Sequence, residues 1–306
     1  MKMVKKQAES QMLIMEALMQ KSKPVYPQSK SQNIGDVDVS YLAYENEGTP
    51  LVFLHATGFL PWLWHPIARE LSPPYQAIAP YFCDHRTSDP HDGGLGWQIL
   101  AHDFASLCRN LELKSPLLVG HSMGATVLVM ANALFNMNAR GMILIEPIFL
   151  PEDFYNPGIM VEQHPLASKA IKRLNHWANR EEALSYVRSR SLFKNWDQEM
   201  MALYVQHGMM TGDGGGLQLT CSPQREAALF MGGLQHNPWP EPAKTTCPVL
   251  ILEGEMSENR AFIDLKKVAS LFPKGNHRMV EGAGHLIPME QPRLVTEIIR
   301  DYFGNI

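Results

Sequence analysis

A chain of 306 residues, 45% of them apolar, is long enough for one large α/β domain or for a domain carrying an insertion. Lys+Arg 27 against Asp+Glu 31 leaves a net charge of -4, which excludes the basic face that nucleic acid requires and favours a small-molecule substrate. Cys83, Cys108, Cys221 and Cys247 have no paired spacing, so free thiols and a cytoplasmic location are expected.

In chain order, MKMVKKQAES QMLIMEALMQKSK sets lysines before an apolar patch, as a secretory leader does. Glu16 interrupts that patch, Lys21 and Lys23 follow it, and no small-x-small cleavage site is visible. Residues 1–33 therefore read as an N-terminal extension whose opening stretch forms a short helix that packs on the body or on the second subunit of a homodimer, with a membrane-surface role as the alternative. No run reaches the roughly 20 apolar residues of a membrane span, so no integral membrane association is expected.

From about residue 36, short apolar runs alternate with helix-period segments. VDVSYLAYE, PLVFLH, YQAIAP, PLLVG, GMILIE, PVLILE and HRMVEG read as strands; Trp97 to Leu111, Ala125 to Phe135, Arg260 to Phe272 and Arg293 to Phe303 read as helices. That alternation predicts a mainly parallel central sheet with helices on both faces, and a ligand crevice beyond the carboxyl ends of the strands. The rhythm breaks at 150–242, which opens with Pro151, Pro157 and Pro165 and includes the GDGGG of 212–216. This segment reads as a helical cap or lid inserted into a core made of 34–149 and 243–306.

Three stretches carry chemistry. VGHSMGA places G-x-S-x-G between a strand and a helix-forming run, the setting in which a serine is held on a sharp turn with a helix N-terminus behind it. Ser122 is the expected nucleophile. LHATGF follows the strand PLVFLH; its Thr57 amide, with that of Met123 after the serine, is the expected oxyanion hole, and His55 reads as a loop brace. EGAGHLIPMEQP follows the last strand, and its His285 is the expected base, because serine needs a proton acceptor titrating near neutrality. His85, Asp89, His91 and Asp92 cluster without distinctive ligand spacing and read as a solvated loop. No metal and no cofactor are expected.

HATGF, GHSMG and GHLIPMEQP together resemble the α/β-hydrolase fold superfamily, over nearly everything from residue 36 onward. The resemblance implies a serine hydrolase of the carboxylic ester class, with a small ester, thioester or lactone as substrate and an acyl-enzyme intermediate. Hydrolysis of a carbon–carbon bond, acyl transfer, and a non-catalytic ligand-binding protein on the same fold are the alternatives. The aromatic and Met-rich segment 150–242 leans toward an apolar or aromatic acyl group. The resemblance also implies an aspartate in the turn after the next-to-last strand, but that turn reads LEGEMSENR, with Ser257 at the position and Glu255 and Glu258 flanking it. The other location known in the superfamily is the end of the preceding strand, where ILIEPIFLP ends a buried apolar run in Glu146. A buried unpaired carboxylate costs several kcal/mol, so a partner is required. Glu146 is the expected triad acid, with Pro147 favouring an extended backbone at it, and Glu255 and Glu258 as alternative acids.

Overall fold

The computed structural model describes residues 26–82, 85–156 and 158–306. Eight strands form one sheet in the order β1-β2-β4-β3-β5-β6-β9-β10: β1 (Gln28–Asn33), β2 (Asp38–Ala43), β3 (Thr49–Leu54), β4 (Tyr75–Pro80), β5 (Leu117–His121), β6 (Gly141–Ile145), β9 (Val249–Gly254) and β10 (Gly275–Val280). Two further strands, β7 (Met209–Thr211) and β8 (Leu217–Leu219), form a separate antiparallel hairpin. The pairings from β4 through to β10 are parallel, while β1 and β2 run antiparallel at one edge. β5, β6 and β9 are buried at every residue, which is why Leu, Ile and Val follow one another in their sequences rather than alternating with polar residues.

Helices cover both faces. α1 (His65–Leu71), α2 (Trp97–Asn110) and α3 (Met123–Phe135) precede the segment 150–242. That segment contains α4 (Ala167–Ala170), α5 (Arg180–Arg188), α6 (Gln198–His207) and α7 (Pro223–Gly232); α8 (Leu265–Ser270), α9 (Ile287–Glu290) and α10 (Pro292–Gly304) follow it. Two apolar clusters fill the two sides of the sheet, one with Phe53, Ile143 and Ile299, the other with Leu54, Leu144 and Phe104. Alternate residues of the same strand thus serve opposite layers. None of the described helices is long and apolar enough to cross a membrane.

Two sequence expectations need correction. Residues 28–33, placed in the N-terminal extension, form β1, registered from Gln28 opposite Ala43 to Asn33 opposite Asp38. QSKSQN has no apolar residue because this edge strand is exposed along nearly its whole length, so it gives no hydrophobic signal. The helix expected over 260–272 is shorter: Glu258–Ala261 is a 3-10 turn, and α8 starts only after Asp264 caps it by accepting from the Lys267 amide at 2.9 Å. Residues 1–25, with the helix expected there, lie outside the described residues, as do Cys83 and Asp84.

The order of the sheet fixes where a ligand can sit. β3 lies between β4 on one side and β5 on the other, so successive crossovers leave it in opposite directions. The helices following these strands diverge there and open a crevice at the strand ends. β6 lies between β5 and β9, so the carboxyl ends of β5, β6 and β9 are consecutive along it.

Candidate active site

Ser122 follows β5 directly and has φ 54 and ψ -117, a conformation that serine adopts only when the surroundings impose it. Two contacts do so. The Ser122 amide donates to the Ile145 carbonyl of β6 at 2.9 Å, and α3 begins at Met123. Gly124 lies so near the end of β3 that a Cβ there would stand 2.5 Å from the Leu54 carbonyl oxygen, which only glycine permits. The same approach sets the turn at Ser122 against the loop that follows β3.

Ser122 Oγ lies 3.1 Å from His285 Nε2, and His285 Nδ1 lies 2.9 Å from Glu146 Oε2. Glu146 is 1% exposed. Its carboxylate accepts from three donors: the Gly254 amide on Oε1 at 2.7 Å, and on Oε2 the Ser257 hydroxyl at 2.7 Å together with the His285 ring. The buried charge at the end of ILIE is thereby partnered. Glu146 has φ 51, not the extended backbone expected before Pro147; its amide donates to the Leu252 carbonyl of β9 at 2.9 Å. That bond carries the pairing with β9 one residue past the end of β6 and overrides the local preference.

The alternative acids lie elsewhere. Glu255 is exposed and accepts from the Gly282 amide at 2.9 Å, and Glu258 is exposed at the start of the 3-10 turn. Ser257, at the position where an aspartate was sought, supplies a hydroxyl to Glu146 instead. Sequence reasoning missed Ser257 and the Gly254 amide; the one available signal was a small hydroxyl residue where an acid should stand. Ser257→Ala would leave the carboxylate two donors and is expected to cost about 1–3 kcal/mol in denaturant unfolding.

Thr57 lies in the turn after β3, and Met123 directly follows Ser122. Met123 opens α3, so its amide is among those with no carbonyl partner inside the helix. Thr57 is buried in the turn after β3, which the Phe59 amide closes by donating to the Ala56 carbonyl at 3.1 Å. His55 braces this loop: its Nδ1 lies 2.9 Å from the Ala56 carbonyl oxygen, and its Nε2 accepts from the Phe82 amide at 3.0 Å. His85 turns away from the solvated loop to Asp103 at 2.8 Å, and Asp89 accepts from the His91 amide at 2.9 Å. Among the described residues no three His, Cys, Asp or Glu side chains are grouped to hold a metal.

The segment 150–242 packs on the loop after β3 and on α9. Trp196 and Tyr204 meet the Phe59 ring edge-on at 5.5 and 6.1 Å between centroids, and the Asp197 amide donates to the Met289 carbonyl at 2.8 Å. Arg173 donates to Glu226 at 2.5 Å and to the Tyr204 hydroxyl at 3.0 Å. Glu226 packs against Gly58, where a Cβ would stand 2.5 Å from its Oε1. Trp177 and Trp196 are buried, and Trp239 donates to the Leu150 carbonyl at 2.7 Å. All three pack within the protein, whereas Phe154 is exposed.

His121, immediately before Ser122, is buried and donates through Nε2 to the His285 carbonyl at 2.9 Å. Burial, reinforced by the neighbouring His285, pushes its pKa down to about 3; burial and Arg69 push His65 down to about 4. Both are therefore neutral in the fold where the unfolded chain binds protons, so stability should fall as pH drops from about 6.5 toward 4. Asp103 responds lower: burial would raise it, but the Arg86 and His85 hydrogen bonds hold it at about 2, so its contribution is lost only below about 3.8. Thermal unfolding of His121→Gln and the parent between pH 7.5 and 5 should show a shallower loss in the variant.

The chain is similar to several known proteins. The chain is 26% identical over 277 residues to 2-(acetamidomethylene)succinate hydrolase of Mesorhizobium japonicum, covering 90% of this chain and 94% of that one. It is 24% identical over 245 residues to a putative esterase/lipase of Haemophilus influenzae, covering 78% and 77%. Among solved structures, E-2-(acetamidomethylene)succinate hydrolase superposes with a TM-score of 0.76 at 23% identity, over 91% of this chain and 100% of that one. The family model described as the alpha/beta hydrolase family matches residues 51–298, more than three quarters of the chain, and to that family the protein belongs.

Proposed function

We propose that the chain is a serine hydrolase acting on a small carboxylic ester, thioester or lactone through an acyl-enzyme. The observation that carries this reading is the continuous relay from Ser122 Oγ through the His285 ring to the Glu146 carboxylate, with steps of 3.1 and 2.9 Å. His285 takes the serine proton as Oγ attacks the carbonyl, then returns it to the leaving group. Glu146 holds Nδ1–H and offsets the positive charge of the imidazolium. The amides of Thr57 and Met123 hold the oxyanion, and water repeats the sequence to release the acid. Segment 150–242 acts as the cap in this reading, which its contacts with Phe59 and Met289 support.

A second reading has support from the Mesorhizobium relative, which is similar over 90% of this chain: a substrate of the acetamidomethylene-succinate kind, cleaved by the same serine. The two readings share the relay and differ in the bond cleaved and the group released. A fluorophosphonate probe tests the relay, and p-nitrophenyl acetate and butyrate compared with 2-(acetamidomethylene)succinate test the substrate. Labelling together with ester turnover supports the first reading. Labelling with turnover of the succinate derivative alone supports the second, and absence of both labelling and turnover would overturn the enzyme reading.

A further inference from the structure

The sequence did not single out Asn259, yet its side chain touches the catalytic ring. It lies two residues after Ser257 in the 3-10 turn that follows β9, and its carbonyl accepts from the amides of Phe262 at 3.0 Å and Ile263 at 2.8 Å, which fixes its backbone. Its Nδ2 stands 3.0 Å from His285 Nδ1, the same nitrogen that Glu146 Oε2 approaches to 2.9 Å. One ring nitrogen therefore has two polar neighbours.

That nitrogen carries either a proton or a lone pair. With a lone pair it accepts from Asn259, but the Glu146 carboxylate then faces a lone pair, and Nε2 carries the proton and cannot take that of Ser122. With a proton, as base catalysis requires, Glu146 accepts. A half-turn of the Asn259 amide about its last side-chain bond then presents Oδ1 as a second acceptor in place of Nδ2. Each orientation of the amide thus suits one tautomer of the ring.

We propose that Asn259 is a second positioning residue on His285: its Oδ1 shares Nδ1–H with Glu146, selects the tautomer able to act as base, and keeps Nε2 on Ser122. The inference rests on the serine-hydrolase reading. No proton moves to Asn259. The serine proton goes to Nε2, Nδ1 keeps its own, and two acceptors face the imidazolium. The other titratable groups near the ring are Glu146 at the end of β6 and His121 at the end of β5, whose ring lies 5.2 Å from that of His285. At the end of α9 Glu290 accepts from the Gly284 amide at 2.6 Å, and in the facing turn Glu255 accepts from the Gly282 amide while Glu258 is exposed.

The test is the rate at which a fluorophosphonate phosphonylates Ser122, followed against pH, with thermal unfolding as the check on folding. Asn259→Ala and Asn259→Leu should each slow the reaction about ten-fold at neutral pH, the size of effect seen when a group behind a working ligand is removed. Asn259→Asp, nearly the same shape, sets a second carboxylate on Nδ1–H and should move the acid limb to higher pH. Glu146→Gln combined with Asn259→Asp should react at least about ten-fold faster than Glu146→Gln alone. Native rates in both Asn259→Ala and Asn259→Leu would overturn the inference. So would a uniform slowing in all three Asn259 variants with the acid limb unmoved and Glu146→Gln unrescued, since that describes a residue with a purely structural role. Failure of the parent to label would instead overturn the serine-hydrolase reading and this inference with it, while native labelling in Glu146→Gln would overturn Glu146 as the triad acid and so the shared Nδ1–H that the inference requires.

Discussion

Ser122→Ala is expected to abolish phosphonate labelling and to lower hydrolysis by several powers of ten without unfolding the protein. The magnitude follows from what remains. Oxyanion donors and substrate binding still act on attack by water, but without the nucleophile the acyl-enzyme route is closed, and removal of a triad serine elsewhere costs on the order of 10⁶ in kcat. Folding should survive because alanine keeps the Cβ and loses only Oγ, whose one hydrogen bond in the structure is to His285. The amide of residue 122 still donates to Ile145 and still holds φ near 54. Circular dichroism and an unfolding midpoint close to that of the parent would verify the fold. Near-native turnover in Ser122→Ala would remove the proposal at its centre.

Glu146→Gln should cost about three to four powers of ten in kcat, as replacement of a triad acid by its amide does elsewhere. Here the amide meets an added difficulty. Oε1 accepts from Gly254, and Oε2 accepts from both Ser257 and His285. A glutamine has one oxygen and one NH₂, so in either orientation an N–H is set against a donor. Turning the oxygen toward Gly254 leaves the NH₂ facing His285 and disfavours Nδ1–H, the tautomer needed for catalysis. Turning it the other way breaks the bond to the end of β9. A buried donor left without its partner costs about 1–3 kcal/mol, so denaturant unfolding should show a loss of that order beside the kinetic one. Glu255→Gln and Glu258→Gln, both at the surface, should leave kcat within a few-fold. A folded Glu146→Gln enzyme keeping more than about a tenth of its activity, beside an inactive Glu255 or Glu258 variant, would move the acid to the turn after β9.

β3, β4, β5, β6 and β9 were legible because each is largely an apolar run of a length suited to burial, and the parallel order followed from the helices between them. β1 was not, because an exposed edge strand gains nothing from apolar side chains. The segment 150–242 could be recognised by its broken rhythm, but the β7–β8 hairpin within it could not, since each of its strands spans three residues. At the site, Ser122 and His285 were visible through the glycines and turns their geometry demands. Glu146 was visible only as an anomaly, a charge ending a buried run. Its surroundings were beyond sequence reasoning, because Gly254 acts through its backbone amide and Asn259 reaches the ring only once the turn after β9 has its shape. The left-handed backbone at Glu146 was also hidden: the following proline argues for extension, and only the bond to Leu252 reverses that.

The place of β6 in the sheet bears on how the chain is made. Its far edge is paired by β9, which the ribosome delivers roughly a hundred residues later, after all of segment 150–242. At about 5–20 residues per second, β6 would emerge some 5 to 20 seconds before its neighbour. During that interval Ile143 and Leu144 present an unpaired apolar edge, and the Glu146 carboxylate lacks the donors that β9 and the turn after it supply. Open edges of this kind pair readily with other chains. Holding factors at the ribosome should therefore act on the nascent chain between these two strands, and slow translation through 150–242 should increase aggregation without altering the finished fold.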